Sequence, residues 1–269
     1  MTDILKYEGK RCVVTGAASG MGAACAQTLT DLGAVVFALD VQDIKATVHR
    51  AIKLDLLSEV SIDAALAEID GEIDCLFNCA GLPGAPRFSA LDTCVVNIVG
   101  LRDLTEKLLP RIKDGGAIAS ITSVAGMGYP KNQEKVHEFL DTTDFASAKA
   151  WCEANPEVAN GYLFSKEAII GYTYRRAGDL SGRSVRINCL SPAPTDTPMM
   201  SAFHEQIPKE AMDEHFQAPV GRNATAEEMA EPLILLNSEA SRFVSGVNLF
   251  VDFGYTGQVF CGQRPGLLI

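Results

Sequence analysis

Arg11-Cys12-Val13-Val14, then Thr15-Gly16-Ala17-Ala18-Ser19-Gly20-Met21-Gly22, then Ala23-Ala24-Cys25-Ala26-Gln27-Thr28-Leu29 is the stretch that decides the fold class. A short β-rich run, a glycine-rich turn and a run of good helix formers read as strand, turn, helix. Outward from it, β-branched runs alternate with helical stretches: Val13 to Thr15, Ala34 to Asp40, Ala51 to Asp55, Ile73 to Asn78, Ala117 to Thr122, Val185 to Leu190 and Val247 to Val251. Seven strands joined by crossovers imply an α/β fold with a doubly wound parallel sheet. Several runs are apolar on both alternations, as expected of strands covered by helices on both faces. Ligand then belongs at the carboxyl ends of the strands, where the strand order switches.

The 269 residues suffice for one α/β domain with a large core, and no low-complexity stretch divides them, so residues 1–269 are expected to form a single domain. A formal charge of -11 argues against nucleic-acid or anionic-membrane partners, which need clustered Lys and Arg, and leaves small molecules. No apolar run reaches the roughly 18 residues of a membrane span. The first residues, Met1-Thr2-Asp3-Ile4-Leu5-Lys6-Tyr7-Glu8, lack the apolar core of a signal peptide, so a cytoplasmic location is expected. The eight cysteines contain no Cys-x-x-Cys and several lie in apolar runs, where a reduced thiol behaves as a small hydrophobe. His49, His137, His204 and His215 show no metal-ligand spacing, and no metal is expected.

In the turn, Gly16 allows a tight reversal, while Gly20 and Gly22 would let backbone approach a pyrophosphate at the N-terminus of the following helix, with Ser19 and Met21 beside them. Asp40 ends the second strand, 40 − 22 = 18 positions past Gly22, where a carboxylate can accept hydrogen bonds from an adenosine ribose. The same carboxylate would repel a ribose 2′-phosphate, and neither Ala17 nor Val41 is basic, so NAD is expected rather than NADP. Asp55, with Leu56 after it, could meet the adenine amino group; a turn or cap role for Asp55 stands beside that reading.

Tyr162 and Lys166 lie four apart, so on a helix they share a face, and a lysine beneath the ring lowers the proton affinity of the phenol. With Ser123 ahead of them and the glycine turn at the start, the chain resembles the short-chain dehydrogenase/reductase family from its first strand to its last. Asn78-Cys79-Ala80-Gly81 resembles that family's Asn-Asn-Ala-Gly, with Cys79 in place of the second Asn. Asn97 in Val95-Val96-Asn97-Ile98 matches the helix asparagine of the catalytic tetrad, and Ser123, Tyr162 and Lys166 complete it. Ser191-Pro192-Ala193-Pro194-Thr195-Asp196-Thr197-Pro198-Met199 resembles the Pro-Gly motif whose backbone and threonine hold the nicotinamide amide, with Ala193 where Gly is usual. The resemblance therefore implies a Rossmann-like sheet and cofactor contacts from Asn78, Ala80, Gly81, Tyr162, Lys166, Pro192, Thr195 and Thr197. It also implies hydride transfer in which Tyr162 is the base or acid, Ser123 holds the substrate oxygen, and Asn97 helps position a water linked to Lys166.

The interval 162 − 123 = 39 is longer than that family's usual one and marks an insertion, about 128–158. Asn132 to Leu140 and Asp144 to Ala154 read as two short helices, with Thr143 as N-cap and Phe145, Ala148, Trp151 and Cys152 on one face. A similar insertion occurs in the branch containing 3α-hydroxysteroid dehydrogenase/carbonyl reductase and coniferyl-alcohol dehydrogenase. Met199, Met200, Phe203 and Phe216 fall in a segment of about 195–220 that can act as a lid over substrate. The resulting expectation is an NAD-dependent oxidoreductase interconverting a bulky apolar secondary or aryl alcohol, such as a hydroxysteroid, terpenoid or aromatic alcohol, with its carbonyl compound. The alternative is an NAD-binding sensor without turnover, which would be expected to lack the Tyr-Lys pair. A homodimer or homotetramer is expected, and the tail to Ile269 is a candidate to reach a neighbouring subunit. Asp252-Phe253-Gly254 stands where the family has Asp-Gly-Gly and has no kinase companion motif.

Overall fold

A computed structural model, which describes residues 3–265, turns the alternation into strands β1 (Arg11–Thr15), β2 (Val35–Asp40), β3 (Arg50–Lys53), β4 (Ile73–Asn78), β5 (Ile112–Ile121), β6 (Arg186–Pro192) and β7 (Asn248–Val251). They form one sheet in the order β3-β2-β1-β4-β5-β6-β7, every neighbouring pair parallel. The order reverses between β1 and β4, and that crevice is where a doubly wound sheet binds its ligand.

The central strands feed two cores, because successive side chains point to opposite faces. Val13, Phe37, Leu76 and Ile118 pack with helices α2 (Glu59–Glu68), α4 (Leu101–Leu108) and α7 (Tyr162–Asp179). Their neighbours Cys12, Val14, Phe77 and Ala119 pack with α1 (Gly20–Asp31) and α10 (Ala226–Asn237) on the other side. The thiols of Cys12, Cys25, Cys75, Cys94, Cys152 and Cys189 are free and buried, behaving as the small hydrophobes the sequence suggested.

The strand that departs most from expectation is β5, which begins at Ile112 rather than Ala117. Lys113-Asp114-Gly115-Gly116 has the composition of a loop, yet it is carried along the edge of β4 through a register irregularity between Ile73 and Cys75. Gly116 makes this possible: a Cβ there would lie 2.9 Å from the Asp74 carbonyl oxygen. At the other end of the alternation β3 stops at Lys53, so Asp55 lies beyond the strand it was expected to end.

The insertion forms α5 (Tyr129–Leu140) and α6 (Phe145–Ala154). Asp144, not Thr143, caps α6, because its carboxylate accepts from Ser147 N while Ser147 Oγ accepts from Asp144 N, a reciprocal capping box. The apolar face of α6 packs inward: Phe145, Ala148 and Cys152 are buried, and Trp151 stacks on Phe164 of α7 with ring centroids 5.5 Å apart. Between α3 (Ala90–Cys94) and α4 the chain makes a π-helical turn over Val95–Gly100. Helices α8 (Pro198–His204) and α9 (Lys209–Phe216), in the segment expected to act as a lid, follow β6, and α11 (Tyr255–Phe260) follows β7. The last four residues of the C-terminal tail, expected to reach a neighbouring subunit, lie outside the described residues.

Gly22 has a packing part beside the one its spacing suggested. A Cβ there would stand 2.1 Å from the carbonyl oxygen of Gly16, so the absent side chain lets α1 close on the turn after β1. Replacing Gly22 with Ala is expected to lower the free energy of unfolding by about 1–3 kcal/mol, the usual size of an overpacking strain. A urea midpoint equal to that of the parent protein would contradict this packing role.

Candidate active site

At the crevice, Gly16 and Gly20 take left-handed backbone, φ +70° and +55°, which only glycine adopts without strain. A Cβ on Gly20 would lie 3.2 Å from the Thr197 methyl, so the turn after β1 meets the loop after β6. Asp40 fixes the turn from the other side: one carboxylate oxygen accepts from Ala18 N at 2.9 Å and the other from Gln42 N at 2.8 Å. Ser19 is exposed ahead of the first turn of α1, and Met21 reaches toward the catalytic cavity. Asp55 takes up the turn role left open for it, accepting from Leu57 N at 2.9 Å, and the Leu56 side chain is core, packed against Gly100.

Asn78 is buried at the end of β4, where its amide donates to Thr105 Oγ1 and Ser120 Oγ. Thr15 Oγ1 accepts from Cys79 N and Ala80 N, pinning the start of the following loop to β1. Gly81 opens toward the catalytic groups, since a Cβ there would stand 3.4 Å from Asn97 Oδ1 and 3.8 Å from Lys166 Nζ.

The four catalytic candidates converge. Tyr162 and Lys166 lie one turn apart on α7, as their spacing requires, with Lys166 Nζ 5.4 Å from the centroid of the Tyr162 ring. Lys166 is 4% exposed and donates to the Ile121 carbonyl at 3.1 Å. Burial draws its amine down to about 8 and pushes the Tyr162 phenol up to about 12. Ser123, beside that phenol, acts in the opposite direction on it. Lys166 thus stands beneath the ring, where the spacing of the two residues put it. Asn97 sits in the π turn with its side chain fully engaged: Oδ1 accepts from Leu82 N at 2.7 Å, and Nδ2 donates to Leu82 O and to Ser165 Oγ, each at 3.1 Å.

Sequence reasoning passed over Ser165. Its hydroxyl donates to the Tyr162 carbonyl at 2.7 Å and accepts from Asn97, joining two catalytic candidates, and its place between Tyr162 and Lys166 was the available signal. Ser191 was likewise unremarked: its hydroxyl donates to the Ser123 carbonyl at 3.0 Å and steadies the loop bearing that serine. Ala193 keeps ordinary backbone, since the described non-glycine residues with positive φ are Lys6, Ser184 and Phe253. The methyl that replaces the usual hydrogen there therefore brings no strain of that kind. Thr195 is buried and bonded to the Ala193 carbonyl, while Thr197 and Pro192 face the cavity.

That cavity, about 320 Å³, has Ser123 and Tyr162 at its base and walls of Pro83, Val124, Met199, Met200, Phe203, Ile207, Met212 and Phe216. Phe203 lies edge-on to Tyr162 with ring centroids 5.1 Å apart. Among the described residues no cluster of His, Cys, Asp and Glu could hold a metal, and no helix is long and apolar enough to cross a membrane.

The sheet, the glycine turn and the convergent Ser, Tyr and Lys define a class, and the chain belongs to the short-chain dehydrogenase family of oxidoreductases. The model described as short chain dehydrogenase matches residues 10–134, and one described as enoyl-(acyl carrier protein) reductase matches 145–256. Among curated relatives, a coniferyl-alcohol dehydrogenase of Pseudomonas sp. is 34% identical over 256 residues, 93% of this chain and 98% of that protein. A 3-alpha-hydroxysteroid dehydrogenase/carbonyl reductase of Comamonas testosteroni is 30% identical over 253 residues, 90% of this chain and 95% of the relative. Among solved structures, the 3-alpha-hydroxysteroid dehydrogenase of a Pseudomonas species in complex with NADH superposes with a TM-score of 0.75 at 26% identity, covering 96% of this chain and 100% of that one.

Proposed function

We propose that this protein is an NAD(H)-dependent alcohol dehydrogenase and ketoreductase acting on a bulky, apolar secondary or aryl alcohol. The observation that carries the reading is the placing of the Ser123 and Tyr162 hydroxyls side by side at the base of an apolar cavity, with the Lys166 amine beneath the ring. The residues of the crevice fit a dinucleotide. The left-handed Gly16 and Gly20 admit backbone to a phosphate, the first turn of α1 presents N–H groups without intrahelical partners, and Asp40 offers acceptors for ribose hydroxyls. Gly81, Pro192 and Thr197 lie along the way from there to the catalytic groups. A bound nicotinamide supplies the hydride acceptor for oxidation and the donor for reduction.

In oxidation Tyr162 takes the proton of the substrate hydroxyl while Ser123 donates a hydrogen bond to the same oxygen; in reduction Tyr162 returns it. With the phenol pushed up to about 12, little phenolate is present at neutral pH, and alkaline pH or positive charge beside the ring raises its share, so alcohol oxidation favours alkaline pH. The Lys166 amine, near 8 and bonded to the Ile121 carbonyl, stands where it can relay the proton onward. Because Asn97 commits its side chain to Leu82 and Ser165, any share it takes in that relay falls to its backbone. The walls support this substrate class, being mainly methionine, phenylalanine, isoleucine, valine and proline, with Gln206, Thr195 and Thr197 among them. Relatives named for coniferyl alcohol and for 3-alpha-hydroxysteroids agree with such walls.

Oxidation of secondary and aryl alcohols, followed at 340 nm, is expected to rise with pH from about 6 to about 10 and to fall by about a hundredfold or more in Tyr162→Phe, with cofactor binding retained. Turnover near the parent level in that variant would remove Tyr162 from the role of base, and binding of NAD without turnover of any alcohol or ketone would favour a sensor. Asp40→Ala is expected to narrow the preference for NAD over NADP; an unchanged ratio of kcat/KM values would contradict the charge argument. We also propose a homo-oligomer, supported by the exposed Phe243, Phe253 and Phe260 around edge strand β7. Sedimentation of a lone 28.8 kDa particle at micromolar concentration would refute it.

A further inference from the structure

The wall of the cavity opposite the lid is the loop from β4 to α3, and it is firmly held. Asn97 brackets Leu82 through both its N–H and its carbonyl, and Pro83 next to it lines the cavity. Gly84 continues over the catalytic tyrosine, where a Cβ would lie 3.8 Å from Tyr162 Cβ. Three residues on, Arg87 turns outward and meets α8.

The guanidinium of Arg87 grips the lid helix at two places. Nε donates to the Glu205 carboxylate at 3.0 and 3.2 Å, Nη2 makes a further short contact with it, and Nη2 also lies 3.4 Å from Ser201 Oγ. Ser201 lies in α8 and Glu205, four residues on, caps its C-terminal end, while on the other side of the helix Phe203 rests edge-on against Tyr162. Among the described residues, Arg87 is the only side chain outside the lid that hydrogen-bonds α8. The neighbouring α9 has its own tie, from Arg264 to the Gln217 and Glu214 carbonyls. An ion pair between residues 118 positions apart thus spans the mouth of the cavity.

We propose that Arg87 and Glu205 form a clasp that sets the closed position of α8, pressing Phe203 over Tyr162 and so fixing the width of the substrate cavity. Both are positioning residues, since neither lines the cavity. The pair is two-armed, which favours a defined geometry. Each side chain is 43% exposed, so the clasp is weak enough to open at each turnover and salt can loosen it. Its consequence for catalysis rests on the dehydrogenase reading above, whereas its mechanical part does not.

The test compares Arg87→Glu, Glu205→Arg and the double exchange with the parent protein in two assays. Hydrogen exchange of the α8 amides needs no substrate: both single variants are expected to exchange faster and the double variant to return toward the parent rate. In steady state the singles are expected to raise KM for an apolar alcohol about two- to fivefold, with affinity for NAD(H) unchanged. The double exchange should restore KM, and about 1 M salt should raise the parent's KM toward that of the singles. Exchange in the singles equal to the parent, or a double variant as loose as either single, would overturn the clasp. Loosened α8 with unaltered KM would overturn its part in setting the cavity. A parent protein inactive on every alcohol and ketone would count against the dehydrogenase reading, and the exchange rates would still decide whether the clasp holds α8.

Discussion

The buried amine of Lys166 is the constraint around which the catalytic half is arranged. An ammonium removed from water needs partners, and the ones available, the Ile121 carbonyl and the face of the Tyr162 ring, can reach it only if α7 lies across the carboxyl end of β5. Thr122 secures that crossing by donating its hydroxyl to the Lys166 carbonyl at 2.8 Å. Gly126 permits it at close range, since a Cβ there would stand 3.0 Å from the same oxygen. Ser123 comes two residues after β5 and so arrives beside the tyrosine, its carbonyl held by the Ser191 hydroxyl. The strand end, the helix and the serine loop are thus fixed by one another.

The cofactor half is organised by steric closeness instead of charge. The turn after β1 is so compressed between α1 and the loop after β4 that Gly16 has the Ala80 backbone within 2.7 Å of where a side chain would begin. Such compression leaves little choice of residue at Gly16 and Gly22, and this is why the glycine pattern could be read from sequence at all. Asp40, by contrast, was legible as a carboxylate at a strand end, but its two backbone bonds to Ala18 and Gln42 were not, because both depend on how the turn folds back over β2.

The same division runs through the rest of the molecule. The parallel sheet and the Tyr162–Lys166 face were legible in local periodicity and in the crossovers between strands, whereas the order of the strands depends on contacts between remote segments. The two insertion helices were visible through their hydrophobic spacing, but α5 begins at Tyr129, ahead of the expected Asn132, and the cap of α6 moves by one, since Asp144 and Ser147 satisfy each other where Thr143 has no reciprocal partner. What sequence could not give were contacts between remote segments: Phe203 over Tyr162, Ser191 behind Ser123, Arg87 against Glu205. No period or spacing encodes these, because they arise when the lid and the loop after β4 are brought together by the sheet. The early start of β5 escaped notice for a related reason, as Gly115 and Gly116 signal a loop unless the neighbouring β4 is known to lie against them.

One packing contact makes the molecule its own optical probe. The chain has a single tryptophan, Trp151, and its indole stacks at 19° to the ring of Phe164, two residues beyond Tyr162 on the same helix, with Phe139 edge-on at its side. Emission from that one fluorophore therefore reports whether the insertion is seated on the helix that carries the phenol and the amine. Undocking of α6 would be seen as a red shift, as the indole trades two aromatic neighbours for water, without any label being introduced.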